Sequence, residues 1–178
     1  MDTLETIRTR RSVRKYEDRP VPDELVQKLL AAAMNAPSAR NQQPWQFVVI
    51  DDRRMLAEVA EINPNAQMAG HAPLGIMVCG DLSLEKSPGY WVVDCAAAVE
   101  NMLLAITALG YATVWLDGAL RAGDRAARIG RLLGVPAGRN VQIVLPIGTP
   151  VEPGRPREKL PFEQRAWYNH YGEDGARS

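Results

Sequence analysis

Histidine and cysteine are scarce here, at two of each in 178 residues. That scarcity excludes whole classes of chemistry. Cys79 and Cys95 form neither a metal-ligand nor a redox spacing, and each reads as a small buried hydrophobe. His71 and His170 stand in no motif. The Gly-x-Ser-x-Gly elbow of a serine hydrolase is absent, and no His/Cys/carboxylate cluster has metal-ligand spacing. The phosphate-binding fingerprints Gly-x-Gly-x-x-Gly and the P-loop are missing too, so any phosphate would have to be held by arginines. Net charge is absent, with 21 basic and 21 acidic residues, which argues against a nucleic-acid binder. No uninterrupted apolar run is long enough for a membrane span: Val92–Leu109 is broken by Asp94, Glu100 and Asn101 and reads as a buried helix. The N-terminus carries no apolar signal region, and with no disulfide pattern a cytoplasmic location is expected. There is no internal repeat. The length suits one domain with a substantial core, residues 1–178, and the 46% hydrophobic content is ordinary for one.

What the chain has is local positive charge. Arg10-Arg11-Ser12-Val13-Arg14-Lys15-Tyr16 holds four cations in seven residues, and six of the twelve residues from Arg8 to Arg19 are Arg or Lys. Guanidinium forks and a serine hydroxyl suit phosphate or carboxylate. The same stretch, taken alone, also fits a solvated helix end whose cations the helix dipole favours. Two further stretches could complete an anion site: Ala36-Pro37-Ser38-Ala39-Arg40-Asn41-Gln42-Gln43-Pro44-Trp45 and Arg155-Pro156-Arg157.

Hydrophobic period and caps predict the elements. Asp2 and Glu5 open a short helix to about Arg10. Pro22-Asp23-Glu24 opens a second, ended by Asn35-Ala36-Pro37. Gln46–Ile50 reads as a strand, and Asp51 or Asp52 caps a helix through Ile62. Residues 63–73 read as a polar loop and Leu74–Cys79 as a central strand. Tyr90–Leu109 is the longest helix, apolar nearly all round, as burial on several sides requires. Ala112–Leu116 and Val141–Ile147 are strands flanking a helix at Asp124–Leu133. The tail, 149–178, is extended because Pro150, Pro153, Pro156 and Pro161 forbid a long helix. The paired acids Asp51-Asp52 and Glu173-Asp174 read as solvated charge. Strands alternating with helices make a layered α/β-type domain.

Poverty in acid–base side chains suits a redox cofactor, because a flavin carries hydride chemistry itself. Five ordered motifs resemble those of the FMN-dependent nitroreductase family in its compact form. They are the seven residues from Arg10, the ten from Ala36, Val114-Trp115-Leu116-Asp117-Gly118, Pro146-Ile147-Gly148-Thr149-Pro150 and Arg155-Pro156-Arg157. The resemblance implies an α+β fold, a three-layer α/β/α sandwich with a central mixed sheet, in a homodimer with FMN at the subunit interface. It implies that Arg10, Ser12 and Arg157 hold the phosphate with Arg11 and Arg155 nearby, and that Arg14 approaches the flavin pyrimidine edge. Pro37, Ser38 and Asn41 would reach the flavin from the other subunit. Asp117 and Gly118 would present backbone near N5, Gly148 would sit on the phosphate side, and Asn65 and Gln67 occupy a loop that often adds a contact. Met68 stands where larger relatives have a lysine. The short Gly80–Tyr90 segment lacks a helical insert of those relatives, which implies a more open or tail-covered pocket. The implied activity is hydride transfer from NADH or NADPH through FMN to an electron-poor small molecule such as a nitroaromatic or quinone, with no obligatory catalytic side chain and no metal. Neither nucleic acid nor membrane is an implied partner. The fold also supports reductive dehalogenation and flavin fragmentation, and a non-catalytic flavin-binding protein is the alternative outside enzymes.

Overall fold

The computed structural model describes residues 2–155 and 157–172; Pro156 and the Glu173-Asp174 pair lie outside the described residues. The elements run α1 (Thr3–Thr9), α2 (Asp23–Met34), β1 (Trp45–Ile50), α3 (Arg53–Ile62), β2 (Leu74–Asp81), α4 (Trp91–Ala108), β3 (Ala112–Thr113), α5 (Arg125–Leu132) and β4 (Arg139–Gly148). The caps form where the sequence puts acceptors. The Asp2 carboxylate accepts from the Glu5 N–H at 3.0 Å, and Asp52 accepts from the Arg54 N–H at 2.8 Å. Each satisfies a donor that the first helical turn leaves unpaired.

The sheet order is β1-β2-β4-β3. Its two faces carry separate cores, which gives the three layers. On one face α2 and α4 bring Leu29, Met102 and Ile106 against Ile76, Val78 and Ile143. On the other, α3 and α5 bring Leu56, Val59 and Ile129 against Met77 and Val144. With both faces covered, every residue of β2 is buried, as its continuous apolar run predicts.

Three expectations need correction. The sheet is not mixed: its four strands are all antiparallel, and among the described residues the parallel pairing is a single bridge between Ser12 and Thr113. The reason lies in the connections. Between β1 and β2 the chain runs out along α3 and back along a 3₁₀ run at Pro64–His71 packed against it. It therefore re-enters beside the end of β1, and Ile50 pairs with Gly75. That 3₁₀ run is the second correction, since a loop was expected at 63–73. Asn63 caps it, accepting from the Asn65 N–H at 3.2 Å, and Ala66 and Ala69 are fully buried. Third, the expected strand at 112–116 pairs only through Ala112 and Thr113, while Val114 and Leu116 leave the ladder to enter the second core.

α4 is long and apolar enough by composition to cross a membrane, yet in this domain it packs on α1, α2 and the sheet. One close approach fixes its start. A Cβ on Gly80 would lie 2.4 Å from Cε3 of Trp91, so only glycine lets the indole lie on β2 there. Gly80→Ala should therefore overpack this contact and cost about 1–3 kcal/mol of stability. Urea denaturation of the two proteins at equal concentration measures it, and unchanged stability would mean the ring is not held by β2.

Candidate functional site

The cationic stretch is clamped from both sides. α1 ends at Thr9, and the chain then runs extended beside β3, with the Val13 N–H donating to the Thr113 carbonyl at 3.0 Å. Farther on, the Glu17 N–H bonds to the Thr149 carbonyl at 2.9 Å and the Val151 N–H to the Lys15 carbonyl at 3.2 Å. Extended backbone alternates its side chains. Val13 is accordingly buried, while Ser12 and Arg14 on either side of it are exposed. The Tyr16 hydroxyl donates to the Val13 carbonyl at 2.7 Å, and burial pushes its pKa well above the ordinary tyrosine value.

The start of the tail closes over this stretch. A Cβ on Gly154 would come within 2.3 Å of the Arg11 Cβ, an approach only glycine allows. Arg10, Arg11, Ser12, Arg14, Arg155 and Arg157 thereby line one cavity of about 260 Å³, together with Lys159. Among the described residues its lining contains no carboxylate. Arg10 has a loose ion pair with Glu100 at 3.7 Å. Arg11 donates through one terminal nitrogen to the carbonyls of Arg8 and Arg10 at 2.8 and 2.6 Å, and its Nε is buried without a partner. An unsatisfied buried donor is costly. A donor set of this kind fits the phosphate of a nucleotide cofactor such as FMN.

Arg14 also lines a second cavity of about 350 Å³ with Asn65, Trp115, Leu116 and Gly118. The cationic pocket and this partly apolar one therefore share a side chain. Lys159 was not singled out in the sequence, and nothing but its distance from Arg157 could have suggested it. Trp115 both packs against the first core and walls the second cavity.

Other expected residues lie elsewhere within the subunit. Gln67 donates to the Ala60 carbonyl at 2.9 Å, bracing α3. The Asp117 carboxylate is engaged by Arg121 at 2.7 Å. Gly148 is wedged where a Cβ would meet Pro73 and Tyr16, each at 2.9 Å. Pro37, Ser38 and Asn41 line neither cavity. Their loop is rigidly built all the same. Arg40, Asn41 and Gln43 have positive φ, and the loop is tied down by the buried Asp94, which accepts from the Ala39 N–H at 3.0 Å and from Gln42 Nε2 at 2.6 Å. His71 and His170 line neither cavity.

The model of the Nitroreductase family matches residues 7–76 and 59–149. The chain belongs to the nitroreductase family. A Methanothermobacter thermautotrophicus protein named "Putative NADH dehydrogenase/NAD(P)H nitroreductase" is 48% identical over 152 residues, covering 85% of this chain and 79% of its own. A crystal structure under the same name from Parabacteroides distasonis superposes with a TM-score of 0.88 at 38% identity, over 95% of this chain and 98% of that one. Another nitroreductase-family neighbour, from Desulfovibrio desulfuricans and described as a "putative nitroreductase in complex with fmn", gives 0.79 at 31% identity over 92% and 94%.

In this member of the family the thiols are protected. Burial pushes the Cys95 pKa up to about 12, with Cys79 and Asp94 adding to it, and burial raises Cys79 as well. Both should stay unreactive toward a chromogenic disulfide reagent at pH 8 in the native protein and react fully once it is unfolded. Prompt labelling of the native protein would mean that one of the two thiols is exposed.

Proposed function

We propose that the protein is an FMN-dependent NAD(P)H oxidoreductase acting on an electron-poor small molecule such as a nitroaromatic or quinone. The observation that carries this reading is the cationic cavity, without a carboxylate among its described lining residues, joined through Arg14 to the cavity of Asn65, Trp115 and Gly118. The names of the relatives agree with it, since they include NAD(P)H nitroreductase and NADPH-flavin oxidoreductase. Bound there, FMN would take a hydride from NADH or NADPH and pass the reducing equivalents to the acceptor.

The chain's own residues bind and tune. Arg10, Ser12 and Arg157 hold the phosphate, with Arg11, Arg155 and Lys159 adding positive potential. Arg14 is placed to set a cation beside the flavin ring, where it would stabilise negative charge on the reduced form. Asn65 and the Gly118 backbone border the same cavity. Neither histidine is required, because solvent can supply the proton.

The working unit is a homodimer in this reading, and Pro37, Ser38 and Asn41 serve the partner's flavin. Leu4 and Ile7 on α1 and Val93 on α4 are 78%, 53% and 61% exposed, an apolar surface suited to a second copy. A cytoplasmic location fits two free, buried cysteines.

The test is titration of flavin-free variants. Losing one charge-assisted phosphate contact costs roughly 1.5–3 kcal/mol, about ten- to more than a hundredfold in affinity. Arg10→Ala and Arg157→Ala should lose that much for FMN and little for riboflavin, which lacks the phosphate. Arg14→Ala should weaken both and lower the flavin reduction potential. Equal losses for the two flavins at Arg10 and Arg157, or an unchanged potential at Arg14, would contradict the assignments.

A further inference from the structure

A cavity of about 620 Å³ is distinct from the two above. It lies at the open edge of β4. That strand pairs with β2 from Arg139 to Ile147 but with β3 only at Ile147 and Gly148, so among the described residues its edge from Arg139 to Pro146 has no strand partner opposite β2. The register slips there. Val78 and Cys79 of β2 face Ile143 and Val141, and Gln142 is the extra residue of a bulge. Bulges re-aim side chains. Gln142 lines the cavity and is 7% exposed; among the described residues no hydrogen bond holds its carboxamide, whose atoms keep some solvent access.

The walls are as unusual. α5 turns Ala126, Ala127 and Gly130 toward the space, at the spacing where an amphipathic helix normally brings large apolar side chains into a core. Trp91, fixed over Gly80, forms a flat apolar flank. Three arginines stand on the lining, and each already faces an acid. Arg139 reaches Asp81 at 2.7 Å, Arg121 reaches Asp117 at 2.7 Å, and Arg131 reaches Asp124 at 3.7 Å. They offer little unpaired charge to an anion.

We infer that this cavity is a second small-molecule site, for an uncharged planar heteroaromatic ring with a lactam or carboxamide edge. A glutamine carboxamide presents a donor and an acceptor side by side, which a cis-amide edge matches with two hydrogen bonds. The indole supplies a stacking or edge contact. The volume lies in the range of ligand pockets, and apolar walls with a few placed polar groups are their usual composition. Its carboxamide is held by no protein group among the described residues and reaches solvent through the cavity, so it is free to pair with a ligand.

The test uses isotope-labelled protein saturated with FMN, so that the cationic and Arg14 cavities are filled, and the bicyclic lactam 2-quinolone as probe. Saturable shifts are expected in the Trp91 indole and Gln142 carboxamide signals. Quinoline, which has the same rings without the lactam edge, should bind about tenfold more weakly or worse, the loss that two neutral hydrogen bonds imply. Gln142→Leu should fold as the wild type does and lose a similar factor for 2-quinolone. Ala127→Phe, on an exposed part of the wall away from the sheet, should abolish the shifts while leaving NAD(P)H oxidation intact. The proposal is overturned if Trp91 and Gln142 do not respond, if Trp115 responds in their place, or if either variant binds 2-quinolone as wild type does.

Discussion

Unbalanced positive charge governs the construction of this protein. Six cationic side chains, those of Arg10, Arg11, Arg14, Arg155, Arg157 and Lys159, border one cavity of about 260 Å³ in a chain with no net charge. Such a cluster resists its own assembly. It is held mainly by backbone, with one loose counter-charge at Glu100: the 10–16 stretch is hydrogen-bonded to Thr113 and Thr149, and Gly154 allows the tail to approach Arg11. The sheet thus meets the electrostatic cost in advance, and a dianionic phosphate bound there would relieve it. Preorganised donors of this kind are worth more than mobile ones, because they need not be ordered on binding.

Arg14 carries the site beyond simple anion capture. It belongs both to the cationic cavity and to the one walled by Trp115, Leu116 and Gly118. A cofactor with a phosphate at one end and an electron-accepting ring at the other spans both environments. The third cavity, at the β4 edge, has the opposite character, with its charges paired and a neutral amide in its lining. The two regions meet at the Asp117–Arg121 ion pair, since Asp117 precedes Gly118 on one cavity and Arg121 lines the other.

Much of this was legible in the sequence, for physical reasons that differ by element. Helix starts were readable because capping is local: Asp2, Pro22 and Asp52 stand where the helices begin. β2 was readable because burial on two faces demands an unbroken apolar run. The 3₁₀ run at 64–71 was hidden because its buried residues are alanines among polar neighbours. Strand direction was hidden because it depends on whether α3 crosses the sheet once or is retraced, which no local pattern records. Within the site, the 10–14 stretch and its partnership with Arg155 and Arg157 followed from charge and order along the chain. The motif residues Gln67, Asp117 and Gly148 have structural partners that only coordinates reveal. Gln142 left no signal at all, because its isolation follows from a register slip against β2.

The central claim is that this architecture holds FMN in order to move electrons. The most direct measurement is anaerobic titration of the FMN-loaded protein with NADH and with NADPH, following the flavin's visible absorbance. Bleaching by one equivalent of at least one nucleotide per flavin, reversed on adding a quinone, is the result expected. Tight FMN binding with no bleaching by either nucleotide would contradict the account and make the cationic cavity the site of a flavin-binding protein.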